Sequence, residues 1–133
     1  MWPPSWLFAA AISRWASALD GLARNLLNDP QFAGIVRRDI DEGQHLNPTG
    51  RLEYFTTAYF HRPEQLLAEL AGAGFTDSRL FGIEGPGWLL PDVAERMSNP
   101  LRRAVLLDIA ERLEAEPSIL SISAHLLAVA HRP

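Results

Sequence analysis

YFHRPEQLLAELAGAGF, residues Tyr59 to Phe75, couples one helix directly to one strand. Pro63 suits the first helical position, where a missing N–H costs nothing. Glu64 puts an anion in the first turn, where the helix dipole favours it. Leu66, Leu67 and Leu70 recur at helical spacing. Gly74 suits the left-handed residue just past the helix end, which lets Phe75 fold back onto the last apolar turn. A helix delivered straight into a strand is the αβ half of a βαβ unit. The stretch therefore argues for an α/β edge and, by itself, for no reaction.

Just upstream, Leu52 to Phe60 (LEYFTTAYF) is aromatic and β-branched, and reads as a short strand or an extended packed loop. Trp6 to Ile12 is a continuous apolar run bounded by Pro3-Pro4 and Ser13, the pattern of a strand buried on both faces. A helix continuing through Ala9 to Ala11 is the competing reading. Trp15, Leu19, Leu22 and Leu26, with Ser13 as cap, and then Phe32, Ile35, Val36 and Ile40 after the Asn28-Asp29-Pro30 break predict a helical hairpin. Glu42 to Arg51 is polar and rich in turn formers, and is expected to be a mobile loop. Downstream, Thr76 to Glu84 reads as a strand stopped by Gly85-Pro86-Gly87. A short helix at Trp88-Leu89-Leu90 and a longer one from Asn99-Pro100 follow, the latter with apolar positions Leu101, Val105, Ile109 and Leu113. The last strand candidate is Ile119 to Ala130.

The 133 residues suffice for one core, so a single domain over 1–133 is expected. A net charge of -4, with no basic run, argues against a nucleic-acid partner. All 12 Lys+Arg positions are Arg, and Arg37-Arg38 and Arg102-Arg103 read as solvated helix faces. With no Cys, disulfides, thiol nucleophiles and cysteine metal sites are excluded, and the cytoplasm is the default location. The Trp6–Ile12 run is too short to span a bilayer and lacks a basic leader, so neither a membrane partner nor a signal peptide is expected.

His45, His61, His125 and His131 lack any spacing that converges on a metal, and no metal site is expected. His125, in an apolar strand, reads as a hydrogen-bonded core histidine. Nucleophile elbows, P-loops and dinucleotide fingerprints are absent. Glu111, Glu114 and Glu116 read as a solvated face. Tyr54, Phe55, Tyr59 and Phe60 suit a small-molecule pocket or plain core equally.

The succession AAAISRWA, TAYFHRPEQLLAELAGAGF, EGPGWLLPD and LEAEPSILSISAHLLAVAHRP resembles the C-terminal half of a class I S-adenosylmethionine-dependent methyltransferase of the small-molecule, type-11-like group. The resemblance runs from about Phe8 to Pro133. It implies a partial Rossmann-like α/β sheet of about three strands, the last antiparallel, with a helical insertion at 13–60 covering the substrate. It also implies S-adenosylmethionine as cofactor and a small-molecule methyl acceptor. The family's glycine-rich cofactor loop, ribose-holding acid and adenine-flanking residues belong to the half before Phe8, so no cofactor-binding residue is assigned. The expectation is a truncated methyltransferase, inactive alone. The alternative is a non-catalytic binding or assembly module, a homodimer or partner of another chain through an exposed strand at 7–12.

Ligands of open α/β sheets bind outside the carboxyl ends of parallel strands. By the resemblance those ends are Ser13-Arg14 and Glu84 to Trp88, with the insertion folded over the same edge. The substrate-side candidates are therefore Arg14, His45, Tyr54, Tyr59, His61, Glu84 and Trp88. His61 or Tyr59 is the candidate general base of a complete enzyme.

Overall fold

The structure, a computed structural model, describes residues 3–133. Its strands are Ser5–Ser13 (β1), Gln44–His45 (β2), Ala58–His61 (β3), Thr76–Gly82 (β4) and His125–Arg132 (β5), joined in one open mixed sheet of order β2-β3-β1-β5-β4. β1 pairs antiparallel with β5 over eight residue pairs, from Ser5 opposite Arg132 to Ile12 opposite His125. β4 lies antiparallel on the far side of β5 and thus runs parallel to β1.

The three strands expected from the sequence correspond to β1, β4 and β5, the last antiparallel to both neighbours, but the expected start of the last strand at Ile119 is corrected: Pro117–Ile122 is a 3₁₀ turn and the strand begins at His125. The sheet nevertheless has five strands rather than about three. The two additions come from the 13–60 insertion and its exit, where two helices, Ala16–Ala23 (α1) and Pro30–Glu42 (α2), precede them. Gly43 ends α2 at φ 78°, a conformation open to glycine, and turns the chain so that Gln44 and His45 pair with Tyr59 and Ala58. Instead of a loose loop, the segment after His45 is tied inward. The Asn47 side-chain amide donates to the carbonyls of Arg51 at 2.8 Å and Phe55 at 2.7 Å, and its oxygen accepts from the Thr49 hydroxyl at 2.6 Å.

Pro63–Gly72 forms the expected helix (α3) with proline at its start, and the Gln65 carboxamide oxygen accepts from the Arg62 N–H at 3.0 Å. Gly74 adopts φ 87° and the Phe75 N–H returns to the Leu70 carbonyl at 3.0 Å. Leu66 and Leu70 pack with Leu120 onto Leu126, Ala128 and Ala130 of β5, joined by Leu7, Ala9 and Ala11 of β1. This is the period-two face of the sheet. Each fully buried leucine, such as Leu126, contributes about 1.5–3 kcal/mol.

The opposite face is open, which corrects the expectation that β1 is buried on both sides. Trp6 and Phe8 are 65% and 68% exposed. The cause is local: α3 covers only the Leu7/Ala9/Ala11 side, and on the edge away from β5 the strand β3 reaches only Ile12 and Ser13. The helices Val93–Ser98 (α4) and Pro100–Leu113 (α5) stack on each other beyond the 3₁₀ turn Pro86–Leu89. α5 buries no side chain, so Leu101 and Val105, read as apolar packing positions, stand in solvent. A second core joins Phe32, Ile35 and Val36 of α2 to Tyr54.

Candidate functional site

β1 and β4 end, and β5 begins, along one edge of the sheet. There the insertion arches over a cavity of about 540 Å³. Ile12, Ala124 and His125 come from the sheet edge, Ala16 and Ser17 from α1, Phe32 from α2 and Phe60 from β3. Asp20, Arg24, His45, Leu52 to Phe55, Glu84 and Trp88 complete the lining. This is the position at which open α/β sheets place ligands.

Of the seven residues selected from the sequence, the fold brings His45, Tyr54, Glu84 and Trp88 together around this cavity. Arg14, Tyr59 and His61 do not line it. Arg14, 2% exposed, donates from Nε to the Phe60 carbonyl at 2.8 Å and from Nη2 to Gln65 Oε1 at 2.8 Å and the Tyr59 hydroxyl at 3.2 Å, binding β1, β3 and α3 to one another. His61 meets Glu69 of α3 at 3.1 Å. The two general-base candidates, Tyr59 and His61, thus stand with the α3 clamp.

His45 is fixed from both sides. Its Nδ1 lies 2.8 Å from Asp39 Oδ2 and its Nε2 2.7 Å from the Tyr54 carbonyl. Both nitrogens face oxygen atoms, an arrangement that favours the doubly protonated ring. Burial pulls its pKa down, but the hydrogen bonds to Asp39 and Tyr54 and the Asp39 charge outweigh that and leave it above the ordinary value. Asp39 Oδ2 also accepts from the Ser17 hydroxyl at 2.5 Å, while Oδ1 is buried without a partner among the described residues. The cluster joins α1, α2 and β2 beneath the cavity, and every proton it holds is already engaged.

Tyr54 donates its hydroxyl to Asp29 at 2.5 Å and accepts from Arg51 at 2.9 Å, and its ring packs on Phe32 at a centroid distance of 4.6 Å. The bond to Asp29 raises the Tyr54 pKa and, with the Gln31 N–H, lowers that of Asp29. Next in the chain, Phe55 holds φ 68°, a left-handed conformation that costs a residue other than glycine about 1–3 kcal/mol. The Asn47 bond to its carbonyl holds this half-exposed ring at the rim.

Glu84 is bound to His125, which the apolar sequence around it predicts to be a core residue. Its Oε2 accepts from the His125 backbone N–H at 3.0 Å and its Oε1 binds His125 Nδ1. Instead of lying inside, the His125 side chain is 47% exposed. It is the first residue of β5 and lies in phase with the open face. Its Nε2 has no partner among the described residues. A carboxylate that fixes one imidazole nitrogen and leaves the other free at a cavity is an acid–base arrangement. The turn that carries Glu84 is stiff: Gly85, at φ 66°, donates its N–H to the buried Ser123 hydroxyl at 2.9 Å, and Trp88 Nε1 donates to the Ile122 carbonyl at 2.8 Å. Glu84 and His125 are 41 residues apart, so no spacing rule pairs them. The available signal was the alternation of HLLAVAHR, which puts His125 on the face of Leu127 and Val129.

Among the described residues no group of three or more His, Cys, Asp or Glu could hold a metal. Nor do these residues fit S-adenosylmethionine. After β1 the chain enters α1 through Arg14 and Trp15, and after β3 it enters α3 through Arg62 and Pro63, with no glycine at either turn. Gly85, the left-handed glycine after β4, has its N–H committed to Ser123. Among the described residues these three turns offer no free backbone N–H cradle of the glycine-rich kind. No protein-family model matches this chain, and no curated protein matches it.

Proposed function

We propose that this chain is the acceptor-binding portion of an S-adenosylmethionine-dependent methyltransferase acting on a small molecule, and that it is inactive by itself. The observation that carries the reading is the cavity at the shared end of β1, β4 and β5, roofed by the insertion and furnished with the Glu84–His125 pair. His125, with Nδ1 fixed and Nε2 free, replaces Tyr59 and His61 as the general-base candidate. No step is assigned to the cofactor, because the residues present build no site for it.

Calorimetric titration of the folded chain with S-adenosylhomocysteine, with amide NMR spectra of the same sample during titration with small apolar ligands, tests the reading. The expected result is no heat from the nucleoside and ligand-induced shifts at Trp88 and His125. Micromolar nucleoside binding would overturn inactivity alone, and a cavity that responds to no small molecule would overturn the acceptor site.

A second reading, an assembly module, draws on the free edge of β1 between Ser5 and Ala11 and on the exposed Trp6 and Phe8. Unpaired backbone along a neutral apolar strand recruits another strand, from a second copy or a partner chain. A monomer in light scattering at all concentrations would remove the homodimer.

A further inference from the structure

We propose that the cavity selects a protonated aromatic amine, its ring held among the aromatic side chains and its ammonium between Glu53 and the Glu84–His125 pair. The proposal rests on the acceptor-site reading above in taking this cavity as the binding site, but its test needs no cofactor.

The lining separates into two kinds of surface. Phe55 and the half-buried Trp88 offer aromatic rings, whose electron-rich faces attract cations, in front of the buried rings of Phe32, Tyr54 and Phe60, which supply apolar wall. The charged lining is unbalanced. Arg24 is taken by Asp20 at 3.1 Å, and His45 is taken by Asp39. Glu53 has no ion-pair partner among the described residues, and Glu84 has only His125. Among the described residues no unpaired arginine faces the cavity to receive an anionic ligand. An anion would therefore lose its hydration against carboxylates, whereas an ammonium would be attracted by them.

His125 narrows the class further. In the neutral ring the Nδ1–H donates to Glu84, which leaves the Nε2 lone pair as an acceptor. An amine bearing an N–H satisfies that lone pair, and a quaternary ammonium cannot. The stiff turn from Gly85 to Trp88 holds Glu84 and the indole in fixed relation, so the site is preorganised for an aromatic body with a charged end a short distance away.

The test uses the whole chain at pH 7 and four probes that share a phenyl ring on a short chain: 2-phenylethylamine, 2-phenylethanol, phenylacetate and trimethyl(2-phenylethyl)ammonium. Calorimetry gives affinities and amide NMR locates the site. The amine is expected to bind at least about tenfold tighter than the alcohol or the acid, and tighter than the quaternary salt. Glu53→Gln, an exposed position that leaves the core untouched, is expected to weaken the amine severalfold and leave the alcohol unchanged. Glu84→Gln is expected to weaken it more.

Phenylacetate binding as tightly as the amine would overturn the charge selection, and equal binding of the quaternary salt would overturn the His125 contact. The absence of shifts around the cavity with any probe would overturn the site. Amine binding without methyl transfer in any assembly containing the chain would remove the methyltransferase reading and leave this one standing. Methyl transfer to a carboxylate acceptor would do the reverse.

Discussion

Asp39 and His45, six residues apart and both closed off from solvent, meet at 2.8 Å as an ion pair that also engages Ser17 and the Tyr54 carbonyl. The pair joins the end of α2 to β2 and so fixes where the cavity roof begins. Removing one partner strands the other as a buried charge. Asp39→Ala is therefore expected to cost about 3–5 kcal/mol. Urea unfolding followed by circular dichroism checks this, and a cost below 1 kcal/mol would mean the pair does not hold the roof.

The same pair makes stability depend on pH in a definite direction. His45 has a folded pKa above its ordinary 6.5. Its contribution is fully present below that value and is lost as pH rises through the raised folded value. The urea midpoint is expected to fall as pH rises from the ordinary histidine value upward. That fall should be flattened in His45→Gln. A fall of the same size in the variant would assign it to other groups.

Gly43 and Gly74 both have positive φ but differ in surroundings. A Cβ on Gly43 would lie 2.6 Å from Arg14 Nη2 and 2.7 Å from the Phe60 carbonyl oxygen, whereas at Gly74 it meets nothing within 4 Å. Gly74→Ala is expected to cost about 1–2 kcal/mol from backbone conformation alone. Gly43→Ala adds about 1–3 kcal/mol of overpacking. Thermal melts of the two variants should rank them in that order, and equal melting temperatures would contradict the clamp of Arg14 on β3.

Leu126, fully buried beneath α3, and Leu101, 81% exposed on α5, give a contrast within one residue type. Leu126→Ala is expected to cost about 2–5 kcal/mol, and Leu101→Ala to stay within about 0.5 kcal/mol. A large loss at Leu101 in dilute solution would show that α5 is covered in the assembled protein.

Phe8→Arg places a charge on the open face beside the free edge of β1. It is expected to leave the melting temperature unchanged while lowering self-association in light scattering. Unchanged self-association would locate any dimer elsewhere.

The α3 segment was legible because each of its signals is local. Pro63, the Leu66/Leu70 spacing and Gly74 each state a backbone preference that no distant residue overrides. Asn99-Pro100 is of the same kind, with the Asn99 side chain capping α5. Arg14 stands away from the cavity because its partners are largely backbone and amide groups 46 and 51 residues away, which no composition reveals. Periodicity announced a helix at Leu101 and Val105, but periodicity states which face is apolar and not whether anything packs on it.

The pairing of Ser5 with Arg132 sets an order on folding itself. β1 and β5 are neighbours in the sheet although β2, β3 and β4 all lie between them in the chain, so β1 is made without its longest pairing and keeps an open edge until β5 exists. Contacts of such sequence separation close slowly, and a waiting apolar strand is exposed to capture by other nascent chains. Yield in cells should consequently respond to chaperone supply and to translation speed far more than its equilibrium stability would indicate.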